Sequence, residues 1–379
     1  MSFSKSIYFS PIETKRFGLR VYRGVLDDIS PLKILSVVIK ENIDVAIVRI
    51  PAGKEGALTR LEETGLPFLV ADSLVYYHVD LTRIKPKEPC NKDLEFIEYQ
   101  HEHNDIVDNL VSKVFADYKN HYFANPLLSL NLIEAYSEWT QGYVTDRARG
   151  KWAWLVKRGD RFIGFATCDI NKDKCEIVLN GIIPQERRLG VYSDLVNFIQ
   201  RFSKNIGCSI LRTSTQLQNY SVQRIWNREG FVIEGAFHTV HINSLMNASL
   251  KEKKVLKLKF TENDVNQYIT SSGEMDTIHL RKASLQNNGF ECRPAIANLI
   301  NSIVSKYYVD DFPGNTTVIT GYSTKFIKPI YFDRSYNIEI SFPFADTKNG
   351  IYKSLVKLLD YSGDICLFSY NDLTKKKVS

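Results

Sequence analysis

IPQERRLGVY, Ile183 to Tyr192, sets the end of a strand, two arginines, a glycine and the start of a helix side by side. The first backbone N–H groups of a helix have no intrahelical partner and carry a partial positive charge, so such a turn suits a pyrophosphate. Gly190 lets a ligand approach the backbone, and Arg187 and Arg188 add charge-assisted contacts. Taken alone, the turn reads equally well as an anion site or as an ordinary basic helix start. Leu189, Val191 and Tyr192 complete it, and the strand CEIVLNGII (residues 175–183) delivers Ile182 and Ile183 to its edge.

Downstream, CSILRTSTQ reads as a second strand and NYSVQRIWNREGF as a helix ending at Gly230. A strand, helix, strand, helix order places ligands at the carboxyl ends of the strands. Upstream, WAWLVKRGDRFIGFATCDI forms two strands about a Gly-Asp turn. FIEYQHEHNDIVDNLVSKVF and SLNLIEAYSEWTQGYV precede it, the second as a Trp-containing helix. Residues 1–90 read as a small α/β module. FGLRVYRGVL is a strand, SPLKILSVVIKENI a helix capped by Ser30 with Pro31 at its first position, and DVAIVRI a buried strand. ALTRLEETGL is helical, PFLVADSLVYYHVDL returns to strand, and RIKPKEPCNK links onward to a second domain over 91–250.

After the charged stretch LKEKKVLKLK the character changes. DVNQYITSSG and IANLINSIVSKYY are helical, and four strand-like runs follow from TTVITGY to ICLFSYNDL. One long helix and a meander of strands predict an α+β domain over 255–379 whose sheet wraps the helix. The fold class expected for the chain is therefore α+β, with a mixed, helix-flanked sheet in the middle.

The 379 residues are too many for one ordinary core. Hydrophobic residues make up 44% and charged residues 24%, as in a globular protein. A formal charge of +6, evenly scattered, suits small phosphorylated ligands rather than nucleic acid. The six cysteines lie apart, with no zinc or disulfide spacing, and the seven histidines form no metal-ligand pattern. No run is apolar enough for a signal peptide or a membrane span, so a cytoplasmic location without a metal cofactor is expected.

IPQERRLGVY resembles the coenzyme-A signature of the GNAT superfamily of N-acetyltransferases: Arg or Gln, two residues, Gly, one residue, then Gly or Ala. Arg187 and Gly190 match, and Tyr192 departs at the last position. NYSVQRIWNREGF is similar to the following motif of the superfamily through Asn219, Gly230 and Phe231. Many relatives carry a tyrosine at the position of Trp226 to protonate the departing thiolate. An indole cannot serve, which leaves Tyr192, Tyr220, water or the helix dipole. The resemblance implies that backbone N–H groups of CEIVLNGII hold the oxyanion, and alternation sets Glu176, Val178 and Asn180 on one face of that strand. Glu176 or Asn180 is expected to hold the attacking amine or a relaying water, with a salt bridge as the alternative for Glu176. His238 and His241 fall on opposite faces of GAFHTVHIN, so at most one aims at the reaction. His241 is the candidate base or sugar contact, with a structural histidine as its alternative.

Residues 10 to 245 look like sugar-nucleotide acetyltransferases of the TDP-fucosamine type. That implies an acyl-CoA donor and a dTDP-aminosugar acceptor, with Tyr122, Phe123, Tyr136 and Trp139 as a stacking wall or as core. The stretch from Phe260 resembles the MaoC-like enoyl-CoA hydratase family of hotdog proteins. There Glu274 stands for the family's Asp, His279 is kept, Asp276 and Thr277 replace Asn-Pro, and Ser302 is a further candidate. Hotdog domains pair through their sheets, so a homodimer is implied. The combination looks like N-acyltransferases acting on dTDP-3-amino-3,6-dideoxyhexose for surface polysaccharide, with 3-hydroxybutanoyl or acetyl as the acyl group. An enoyl-CoA hydratase and a non-catalytic coenzyme-A-binding scaffold are the alternatives.

Overall fold

The computed structural model describes residues 7–27, 29–54, 56–118, 120–128, 132–273, 297–331 and 334–375. In the first segment β1 (Ile7–Phe9), α1 (Pro11–Phe17), β2 (Val21–Val25), α2 (Pro31–Lys40), β3 (Val45–Pro51), α3 (Ala57–Glu62) and β4 (Phe68–Asp80) alternate. Pro31 opens α2 as expected, but the Ser30 side chain makes no capping hydrogen bond. The middle segment holds β5 (Leu94–Glu98), α4 (Asn104–Val114), α5 (Leu132–Gln141), β6 (Lys151–Arg158), β7 (Arg161–Asn171) and β8 (Lys174–Ile182). It continues through α6 (Val191–Asn205), β9 (Ile210–Gln216), α7 (Tyr220–Arg228) and β10 (Val232–Ile242).

These ten strands form one sheet in the order β1-β2-β3-β10-β4-β9-β8-β7-β6-β5. β10 runs antiparallel between β3 and β4, so strands from residues 1–90 and from the middle segment share one hydrogen-bonded ladder. Only β2–β3 and β8–β9 pair in parallel. The amphipathic α6 buries Leu195, Val196 and Ile199 against the sheet, in a core that also takes Trp226 and Phe231. On the opposite side, α4 and α5 bring Phe115 and Tyr136 into a stack with ring centroids 4.3 Å apart.

The C-terminal part builds a second, antiparallel sheet, β11-β13-β14-β15-β12, from β11 (Lys253–Lys259), β12 (Thr317–Phe326), β13 (Ser335–Asp346), β14 (Ile351–Leu359) and β15 (Ile365–Lys375). α8 (Glu262–Ser272) precedes α9 (Ala297–Asp310), and Ile300, Val304 and Tyr308 of α9 fill the hollow of this sheet. The α+β class and the hotdog-like wrapping of a helix by a sheet are as expected. Most of the charged stretch LKEKKVLKLK forms the edge strand β11. Leu256 and Leu258 alternate toward the core, while Lys257 and Lys259 face out and blunt the edge. Leu355 and Phe368 of the second sheet pack into the core of the first module beside Ile34, Val38 and Leu61.

Candidate active site

β8 and β9 pair only from Lys174↔Ile210 to Ile177↔Thr213. Beyond that point they part, although β8 runs on to Ile182 and β9 to Gln216. Their outer edges stay paired with β7 and β4. The inner edges, Val178 to Ile182 and Ser214 to Gln216, therefore face each other without a shared ladder, leaving backbone groups that need other partners. Both lips line one cleft of about 2190 Å³.

The amino end of α6 closes one end of this opening. Gly190 is its N-cap at φ 82°, and Arg187, Arg188, Gly190 and Ser193 line the cleft. Several side chains hold the turn in place. The buried Glu186 pairs with Arg158, whose Nη2 donates to Asn91 Oδ1 at 2.8 Å. Asn91 Nδ2 donates to the Leu189 carbonyl at 3.1 Å, and the backbone N–H groups of Cys90 and Asn91 donate to the Asp194 carboxylate at 2.8 and 2.9 Å. The stretch read as a linker thus clamps the first turn of α6, where a carboxylate also suits the helix dipole. At the far end of α7, Glu229 ties the two helices together by accepting from Ser193, Asn197 and Lys87. These partners hold its carboxyl down at about 2 against the opposing effect of burial.

Tyr192 is the junction of the site. Its hydroxyl donates to Asn180 Oδ1 at 2.7 Å and accepts from the Trp226 indole at 3.1 Å. Burial pushes this phenol well above its ordinary range, so it stays protonated. Trp226 is itself sealed and packs edge-on against Tyr77.

The cleft continues onto the sheet face formed by β2, β3 and β4. Arg23, Arg49, Asp72, Glu13 and His121 line this arm. Glu13 is buried, accepts from the Tyr122 hydroxyl and lies 3.7 Å from Arg23. Arg49 donates to the Tyr76 hydroxyl. Asp72 accepts from Gln216 at 3.1 Å through one oxygen, while the other is buried without a hydrogen bond. Such an unpaired group costs about 1–3 kcal/mol, a pattern concentrated where a ligand or water completes the set.

Of the residues singled out in the sequence, the fold brings Asn180, Ile182, Arg187, Arg188, Gly190, Tyr192, Asn219, Trp226, Tyr122 and Trp139 to the cleft wall. Ile183 and Val191 are core residues beneath the turn, and Leu189 is exposed beside it. Five expectations need correction. Tyr220 is exposed and outside the cleft wall, because the first residue of α7 points to solvent, so it is no proton donor here. Phe123 is likewise exposed, off the wall formed by Tyr122. His238 lies on the far face of β10 from the cleft, with its Nδ1 2.8 Å from Ser73 Oγ. His241 is fully buried behind His121, with Nε2 2.9 Å from His121 Nδ1; burial, then Arg23, holds it down at about 3, so it meets no substrate. Glu176 is half-buried and outside the lining; burial raises its carboxyl above the ordinary range despite Arg212 and Arg49. Glu274, Asp276, Thr277 and His279 lie outside the described residues, and Ser302 is exposed on α9. Among the described residues no cluster of His, Cys, Asp and Glu is placed to hold a metal ion, and no helix is long and apolar enough to cross a membrane.

The residues that pattern reading passed over are Glu13, Arg23, Arg49, Asp72 and His121. All but His121 belong to the first module, where strand alternation marks Arg23, Arg49 and Asp72 as one-faced but not what they face, and Glu13 sits on the short helix α1.

No curated protein matches the chain in sequence. Among solved structures, the (R)-hydratase from A. caviae involved in PHA biosynthesis is 18% identical, with 33% of this chain and 95% of that chain covered at a TM-score of 0.31. A GCN5-related N-acetyltransferase from Sphaerobacter thermophilus is 15% identical, with 52% and 58% covered at a TM-score of 0.41. One from Kribbella flavida is 11% identical, with 59% and 81% covered at a TM-score of 0.41. Residues 115–231, which build the parted strands, the α6 turn and α7, match the model of the Acetyltransferase (GNAT) family, so the chain carries a GNAT acetyltransferase domain.

Proposed function

We propose that the chain transfers an acyl group from acyl-CoA to the amine of a nucleotide-linked amino-dideoxysugar, with dTDP as the nucleotide and acetyl or 3-hydroxybutanoyl as the acyl group. One observation carries the reading: the gap between β8 and β9 opens at the amino end of α6 and continues, as a single cleft, into a polar arm roomy enough for a second substrate. In this reading the donor diphosphate lies on the N–H groups of the Arg187–Gly190 turn, and the pantetheine arm threads between the lips.

The neutral amine attacks the thioester carbonyl, forming the C–N bond. Unpaired N–H groups of the β8 lip stabilise the oxyanion, one such donor being worth about 3 kcal/mol. The C–S bond then breaks, and the thiolate takes the proton of the Tyr192 hydroxyl. The proton released by nitrogen restores that hydroxyl through solvent in the cleft, so the products are an amide and free coenzyme A. Tyr192, rather than Trp226, fills the donor role because its hydroxyl carries a proton to the Asn180 side chain on the β8 lip while taking the hydrogen of the Trp226 indole.

The test is to incubate the full chain with acetyl-CoA or 3-hydroxybutanoyl-CoA and a panel of dTDP-aminosugars, following thiol release and product mass. Thiol release that requires an aminosugar, with a matching gain in product mass, is the expected result. Binding of acyl-CoA without transfer to any amine overturns the reading.

A further inference from the structure

We infer that His121 binds a phosphate oxygen of the acceptor through its Nε2–H, as a neutral donor whose tautomer is set by His241 and Asn125. The inference rests on the nucleotide-sugar reading of the cleft and adds a substrate-positioning residue to it.

The tautomer follows from a chain of donors read inward from the backbone. The Leu127 N–H lies 3.1 Å from one side-chain amide atom of Asn125. A backbone N–H can only donate, so that atom is the carbonyl oxygen, and the other is the NH₂ group. That NH₂ gives one hydrogen to Asn243 Oδ1 at 2.9 Å and the other to His241 Nδ1 at 3.1 Å. His241 Nδ1 therefore accepts, and its ring proton sits on Nε2. Nε2 is 2.9 Å from His121 Nδ1, so His241 donates there and His121 carries its own proton on Nε2. The reverse arrangement would set an N–H of His241 against an N–H of Asn125. Double protonation of His241 fails on the same contact, and burial opposes a charge on either ring.

His121 lines the cleft, and its Nε2 has no protein partner among the described residues. A histidine in this tautomer offers the cleft a donor and no lone pair, which excludes it as a base toward the amine. Its neighbours decide what it meets. Arg23 and Arg49 line the same wall and act on its charge, as does His241 behind it; the Tyr122 ring packs against the His121 ring at a tilt of 41°, with centroids 4.0 Å apart, and turns its hydroxyl to Glu13. The Glu13 carboxylate answers Arg23 at 3.7 Å, whereas Arg49 donates to the neutral Tyr76 hydroxyl, so a guanidinium charge and a neutral N–H remain to meet an oxygen that bears negative charge. In a nucleotide-linked sugar that oxygen belongs to the diphosphate.

The experiment uses the full chain in two arms. In the first, nitrogen NMR of histidine-labelled protein is expected to show His121 protonated at Nε2 alone from pH 6 to 8, with that resonance moving on addition of dTDP. In the second, calorimetry with dTDP is compared for wild type, His121→Phe and His121→Gln, the last keeping an N–H near the position of Nε2. The loss expected for His121→Phe is about tenfold or more in affinity, with His121→Gln within about threefold of wild type and acyl-CoA binding unchanged in both. If wild type acylates dTDP-aminosugars yet His121→Phe keeps its dTDP affinity, or if Nε2 proves unprotonated, the inference falls and the proposed function stands. If wild type binds acyl-CoA but neither binds dTDP nor acylates any dTDP-aminosugar, both fall together.

Discussion

The Tyr192 hydroxyl, at the start of α6, donates to Asn180 on the β8 lip at 2.7 Å and takes the Trp226 indole hydrogen from α7 at 3.1 Å. One phenol thus links the amino end of α6, the proposed seat of the donor diphosphate, to the β8 edge proposed to face the acyl carbon. Tyr192→Phe is expected to lower kcat about a hundredfold while leaving the KM for acyl-CoA within about threefold. Because burial keeps the phenol protonated, the wild-type rate should show no falling limb up to pH 9 from this group. Steady-state kinetics on the pair of proteins checks both points, and a KM effect alone would move Tyr192 from proton donor to packing residue.

Arg187 borders the cleft in a turn that Asn91, Arg158 and Asp194 already hold in shape, so removing its side chain should not move the backbone. Arg187→Ala is expected to raise the KM for acyl-CoA about tenfold, the worth of one charge-assisted contact. The difference should shrink as salt is raised. Gly190→Ala tests the backbone instead. At φ 82° a Cβ is strained by about 1–2 kcal/mol, and it would also sit 3.4 Å from Asn91 Nδ2, so both melting temperature and donor affinity should fall.

Glu229 joins the two helices of the donor side, and its carboxyl is held at about 2 in the folded protein. A depressed carboxyl contributes stability that is present above the unfolded glutamate value and is lost as pH falls through the folded one. Thermal melts should therefore lose stability steeply between about pH 4.5 and 2 in wild type, and less so in Glu229→Gln. At pH 7, Glu229→Ala is expected to cost about 2 kcal/mol, since it removes the acceptor of the Asn197 amide and the Ser193 hydroxyl.

Lys357 sits in the second sheet but donates to the Met246 carbonyl and, at 2.5 Å, to Ser249 Oγ, beside the strand that returns to the first sheet. Burial lowers its amine to about 8. For an amine whose folded value lies below its unfolded value, the unfolded chain binds the extra proton between the two, so stability rises with pH from about 8 to 10.5. Denaturant midpoints for wild type should climb over that interval, and the climb should vanish in Lys357→Met.

Much of the fold was legible along the chain. The two apolar runs WAWLVKR and FIGFATCDI about their Gly-Asp turn, the Pro31 and Gly190 punctuation of two helices, and the apolar face of IANLINSIVSKYY are local signals, set by backbone sterics and side-chain type. The IPQERRLGVY turn belongs with them, because its cap, its arginines and its helix start are neighbours in sequence. What no local signal contained is where chains that are distant in sequence meet. β10 inserts between β3 and β4 only because its two edges find partners more than 150 residues away. That insertion, with the short turn at His121–Ala124 laid over β4, brings Arg23, Arg49, Asp72 and His121 to one wall and buries His241 behind it. The same registers decide that Gln216 reaches Asp72 and that Tyr220 and His238 point elsewhere. The amino-acid order alone determined the elements and the glycine turn that opens α6, since these depend on residues within a few positions of one another. The polar arm of the cleft, the histidine pair and the hydrogen bonds that join Tyr192 to β8 and α7 belong to the tertiary structure, because each depends on a pairing register across the sheet that side-chain type does not encode.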